Sequence, residues 1–111
     1  WQDGKDNANR RATDQTWDVL DLLKKMAHDK DCSMSQLALA WNMAQPGVTA
    51  PIIGPRTFEQ IEDNLRAVDV EMNEEDFSRI DELVPPKGYV VRYYDEANAI
   101  DFRPNSHRSV M

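Results

Sequence analysis

The feature that most constrains this fold is the run Val48-Thr49-Ala50-Pro51-Ile52-Ile53, the one stretch of the chain that reads as a strand. A short apolar run between turn residues suits a strand covered on both faces, as in a parallel sheet. Pro51 lacks a ladder donor and is tolerable only near a strand's beginning, which makes Ile52 and Ile53 the expected core positions. A strand cannot satisfy its own backbone, and the segments on either side of this one read as helices. Two helices, one buried strand and two more helices make an incomplete inventory. It predicts that neighbouring strands lie outside this chain.

The helices are marked by their periodicity and their ends. Trp17, Leu20, Leu23, Met26 and Ala27 share a helical stripe, predicting a helix from Asp14 to about Asp29. His28 falls near its end, on the surface, where positive charge suits the helix dipole. Ser33-Met34-Ser35-Gln36 fits a capping box that opens a second helix, with Cys32 and Leu37 placed as a hydrophobic staple. Leu37 to Trp41 is apolar nearly all round, implying burial on more than one side, and Gln45-Pro46-Gly47 ends the helix. A third helix follows Gly54-Pro55-Arg56, with Thr57-Phe58-Glu59-Gln60 as a capping box and Phe58, Ile61, Leu65 and Val68 as its apolar stripe. A fourth is capped by Asn73, carries Glu74, Glu75 and Asp76 in its first turn and stops at Pro85-Pro86. Its inner face is Phe77, Ile80, Leu83 and Val84, with Met72 at staple spacing. The chain thus divides into an irregular lead-in over 1–13, a patterned body over 14–86 and a tail over 87–111.

Charge narrows the function classes. The formal net charge is −7, and the tail balances Lys87, Arg92, Arg103 and Arg108 against Asp95, Glu96 and Asp101, so the acidity lies in the body. An acidic body without a basic stripe argues against nucleic-acid binding. No run approaches the ~20 apolar residues of a membrane helix, and no secretory leader pattern opens the chain. One cysteine and two histidines give neither an internal disulfide nor a zinc spacing, so the expectation is a cytoplasmic protein without a metal.

The chemistry-bearing stretch is Ile52 to Asn64, a strand, a glycine turn and a helix start with Arg56 in the turn. Free N–H groups and the positive end of a helix dipole suit a phosphate, and a guanidinium can grip its oxygens in two places. Gln60, Asp63 and Asn64 share one helix face, turned away from Phe58, Ile61 and Leu65. A nucleotide could be read by that row, with phosphate at the helix start and adenine further along. Polar residues opposite an apolar stripe are equally what any surface helix displays, and capping alone explains Thr57.

Ser35-Gln36-Leu37-Ala38-Leu39-Ala40-Trp41, Gln45-Pro46-Gly47-Val48-Thr49, Pro51-Ile52-Ile53-Gly54 and Glu59-Gln60-Ile61-Glu62-Asp63-Asn64-Leu65 occur in that order. Together they resemble the closing segment of aldo-keto reductases, most similar to the branch containing potassium-channel β-subunits and bacterial relatives. The likeness spans about residues 14–86. It implies an α/β fold, the C-terminal portion of a (β/α)8 TIM barrel, mostly helical here with one buried parallel-type strand. A whole barrel takes about 250 residues, so this chain would supply about its last quarter. The resemblance also implies NADPH as cofactor and a small-molecule carbonyl as substrate of the intact parent. By position Gly54, Arg56 and Gln60 would surround the 2′-phosphate, and Asp63 and Asn64 would face the adenine edge.

Two departures stand out. Asp63 replaces the longer Glu usual at that point, and Pro55-Arg56 stands where smaller residues are frequent, Arg56 strengthening a preference for NADP over NAD. Tyr89, Tyr93 and Tyr94 are candidates for substrate contact or for packing onto the barrel. The family's Tyr proton donor and its Asp, Lys and His come from earlier strands, and no position here matches them. The expectation is therefore no catalytic residues and no activity for this stretch alone, with an upstream barrel portion or an oligomer as its partner. A non-catalytic nucleotide-binding regulatory or interaction module and a stand-alone acidic helical domain remain as alternatives.

Overall fold

The computed structural model describes residues 13–86 and 88. The lead-in before residue 13 and the tail with Tyr89, Tyr93 and Tyr94 lie outside the described residues. Among the described residues four α-helices follow one another: α1 (Asp14–Asp29), α2 (Met34–Met43), α3 (Phe58–Leu65) and α4 (Glu74–Leu83), with a 3-10 turn, Arg66–Asp69, continuing α3.

Each helix begins where a short polar side chain can take an orphan backbone N–H. Thr13, Ser33, Thr57 and Asn73 are the N-caps, accepting from the amides of Thr16, Gln36, Gln60 and Asp76. At Ser33 the box closes, because Gln36 reaches back to the Ser33 amide. Asp76 does the same for Asn73. The third start differs from the expected box, since the Gln60 carboxamide accepts from Arg56 N, one residue before the cap, at 2.7 Å.

α1 ends in a Schellman-type reversal. Asp31 N donates to His28 O, Cys32 N donates to Ala27 O, and Asp31 takes a left-handed φ of 51°. Asp tolerates that region better than most side chains. Gly47, at φ 83°, turns the chain after α2 as its position implied.

α2 is central and packs against α1, α3 and the 3-10 turn, while α1 also packs against α4. The core is Met26, Ala27, Leu37 and Ile80, with Leu22, Leu23, Cys32, Trp41, Val70 and Met72 against it. Ala40 and Ala67 are buried as well, where small side chains suit the packing of the 3-10 turn on α2. Polar ties close the bundle. Lys30 Nζ reaches the largely buried Asp76 carboxylate at 2.7 Å and the Glu71 carbonyl at 2.9 Å, joining the end of α1 to the start of α4. Gln15 Nε2 donates to Leu83 O at 2.7 Å across the opposite ends of the same pair.

Three expectations about the core are corrected. No strand occurs among the described residues; 48–55 is extended or irregular, Ile52 is fully exposed and Ile53 is also on the surface. The physical reason is the one the sequence raised: a ladder needs a second strand, and residues 13–86 contain none. The apolar stripe of the third helix is likewise uncovered, with Phe58 68% exposed and Ile61, Leu65 and Val68 exposed too. Trp17, placed by periodicity on the inner stripe of α1, is 56% exposed.

Candidate functional site

Gly54-Pro55 and one face of α3 border an open cleft of about 530 Å³. Its walls include Ile52, Ile53 and Gly54 from the extended segment, Glu59, Gln60, Asp63 and Asn64 from α3, and Ser35 and Leu39 from α2. Four of the five residues singled out in the sequence, Gly54, Gln60, Asp63 and Asn64, are therefore brought together. Arg56 is exposed and does not line the cleft.

Gly54 meets open space, for a Cβ built there would have no atom within 4 Å. Its bare backbone leaves the cleft wall free for a close approach rather than relieving a clash inside the chain. Gln60 is fixed at both ends: its amide donates to Thr57 Oγ1 and its carboxamide oxygen accepts from Arg56 N. That bond pins the Arg56 backbone to the helix start and leaves the guanidinium at the surface.

Glu59 holds its carboxyl below the usual carboxylate range, because its own backbone N–H and then the Thr57 hydroxyl donate to it. An anion thus already sits in the positive field of the first turn. Its place two residues after the Thr57 cap is the sequence signal for that role.

Asp63 is engaged from the other side. Ser33 Oγ donates to its Oδ2 at 2.9 Å, and Gln36 Nε2 donates to its Oδ1 at 2.8 Å and to its carbonyl oxygen at 3.0 Å. In the sequence Ser33 reads only as a cap and Gln36 as a cap within the Ser35–Trp41 motif, and their partner lies 27 to 30 residues away. A larger open cleft, about 830 Å³, adjoins the far side of this contact and includes Lys30, Cys32, Ser33, Gln36, Arg66 and Glu71. It gathers none of the expected site residues. Burial, as the main cause, pushes the Cys32 thiol up from its ordinary value, which fits a packing role. His28 lies exposed at the end of α1, 3.7 Å from the Asp29 carboxylate. Among the described residues no group of three or more His, Cys, Asp and Glu side chains could hold a metal ion, and no helix is long and apolar enough to cross a membrane.

A capped helix start beside a glycine turn, with a polar row facing one cleft, is the geometry the sequence motifs implied. The model of the aldo/keto reductase family matches residues 2–85, well over half of the chain. The chain belongs to the aldo/keto reductase family. It is 38% identical over 68 residues to an uncharacterized oxidoreductase, YrpG, of Bacillus subtilis (strain 168), covering 61% of this chain and 20% of that protein. A protein of Oryza sativa subsp. japonica named a probable voltage-gated potassium channel subunit beta is 38% identical over 66 residues, 60% of this chain and 20% of that one. An L-glyceraldehyde 3-phosphate reductase of Escherichia coli O157:H7 is 32% identical over 73 residues, 65% of this chain and 21% of the relative. The chain therefore spans about a fifth of the relatives it matches. Membership rules out an incidental likeness in a stand-alone helical domain. It also makes this mostly helical stretch part of a family built on the (β/α)8 barrel.

Proposed function

We propose that this chain supplies the 2′-phosphate and adenine end of the NADPH site in a carbonyl-reducing oxidoreductase, whose remaining barrel lies outside it. The observation that carries the reading is the gathering of Gly54, Gln60, Asp63 and Asn64 around one cleft at a capped helix start. In this reading Gly54 lets a phosphate approach the backbone, Gln60 holds the turn, and Asp63 and Asn64 stand at the adenine end. Arg56 closes on the 2′-phosphate from outside the cleft, where its charge offsets Glu59. The exposed Ile52, Ile53, Phe58 and Leu65 face the upstream barrel portion, which covers them and pairs the 51–54 segment as a strand.

The test is a fluorescence titration of the full-length protein with NADPH and NADH. Losing a charged hydrogen bond costs ~1.5–3 kcal/mol, so Arg56→Ala weakens NADPH binding by about one to two powers of ten and leaves NADH nearly unchanged. Equal losses for both cofactors would mean that Arg56 shapes the turn rather than reading the phosphate. The likeness to a potassium channel subunit beta favours a second reading, a nucleotide-binding regulatory module of the same fold. NADPH oxidation by the full-length protein with aldehydes or ketones separates the two, since the module binds without turnover.

A further inference from the structure

We infer that Ser33 and Gln36 are positioning residues for the adenine end of this site, acting through Asp63, whose carboxylate serves the α2–α3 junction and not the base. The inference rests on the cofactor site proposed above and refines it.

The same two side chains that cap α2 also grip α3. Ser33 Oγ accepts from Gln36 N at 3.1 Å while donating to Asp63 Oδ2. The Gln36 carboxamide accepts from Ser33 N through its oxygen and donates to Asp63 Oδ1 and Asp63 O through its nitrogen. Gln36 is buried, so its amide group would be costly to leave unmet, and this closed ring meets it. Both bonds to the carboxylate are charge-assisted, the stronger class of hydrogen bond.

α3 needs such a tie. None of its residues is buried, and its apolar stripe is turned outward, so hydrophobic packing does little to fix its place. Asp63 lies on the wall between the two clefts, with Ser33 and Gln36 behind it and Asn64 beside it on the nucleotide side. A base amine approaching Asp63 would have to share an oxygen that already accepts a charge-assisted bond. Asn64 lines the same cleft and can both donate to and accept from a base edge, which makes it the reader. Shortening the acid to Asp suits this division, for the carboxylate stays close to its own helix and within reach of α2.

The experiment titrates the full-length protein with NADPH and with the analogue whose adenine is replaced by hypoxanthine, which lacks the 6-amino donor. Asp63→Asn and Gln36→Ala each weaken both cofactors alike, by about three- to tenfold, the worth of one or two hydrogen bonds. The double variant is no worse than the poorer single one, and the ratio between the two cofactors stays at its wild-type value. Asn64→Ala changes that ratio. Hydrogen exchange on the unliganded protein adds a readout free of binding: Gln36→Ala speeds exchange of the α3 amides and leaves those of α1 and α4 as they were. A selective loss of NADPH binding in Asp63→Asn, with the analogue untouched, would show Asp63 reading the base and overturn the inference alone. So would multiplying losses in the double variant, or unchanged α3 exchange. A wild-type protein that binds neither cofactor overturns the cofactor site itself, and this inference with it.

Discussion

The α1–α2–α4 part of the body and the part from residue 48 to the 3-10 turn both carry apolar stripes, yet they end in different states. Met26, Ala27, Leu37 and Ile80 pack together and are buried, with the Lys30–Asp76 pair sealing the seam between α1 and α4. Ile52, Phe58, Leu65 and Val68 stay at the surface, and their helix is attached largely through the polar ring at Asp63. A chain can complete its own core in one region while presenting unfilled apolar area in another. The second region is the one that carries the cofactor-facing residues, so the site's rigidity depends on what covers that area.

The sharpest way to break the comparison is to delete matched leucines. Leu37→Ala leaves a cavity in a fully buried place and costs about 2–5 kcal/mol in urea denaturation, whereas Leu65→Ala on this chain stays within about 0.5 kcal/mol. Equal losses would erase the distinction between the two regions. Repeating Leu65→Ala in the full-length protein sharpens it, because a covered Leu65 raises the cost toward that of Leu37.

A smaller effect is expected at the seam. Lys30→Met strands the Asp76 carboxylate and costs about 1–3 kcal/mol. A double-mutant cycle with Asp76→Asn recovers part of that loss if the two interact as drawn, and simple additivity would deny it.

Smallest is the effect of Cys32. Its thiol is raised in the folded protein above the ordinary 9.0, so the folded state keeps its proton longer than the unfolded chain. That contribution to stability is fully present below the unfolded value and is lost as pH rises through the folded one. Melting temperatures followed upward from about pH 9 therefore fall less steeply in Cys32→Ala than in the wild type. Parallel slopes would mean that the thiol is not held by the core.

What the sequence revealed was local, and what it hid was not. The helix starts were legible because Ser33 with Gln36 and Asn73 with Asp76 complete their bonds within three residues. The row Gln60, Asp63 and Asn64 was legible as a face, since helical spacing alone puts it there. The engagement of Asp63 by Ser33 and Gln36 spans a loop and a turn that periodicity does not see. The expected strand failed for a related reason: apolar character at Ile52 and Ile53 states that they are to be covered, without stating whether this chain does the covering. Exposure of Trp17 has the same origin, for a stripe says which residues are to be covered and not what covers them.

The bond from Gln15 to the Leu83 carbonyl, which brings the first turn of α1 to the last turn of α4, has a mechanical meaning. The body begins and finishes at one pole, so tension between those two points loads the α1–α4 seam from its open end. Such a seam peels contact by contact rather than resisting as a whole in shear. Pulling there parts α1 from α4 beginning at Gln15, while the Lys30–Asp76 pair at the far end of the seam is the last to feel the load.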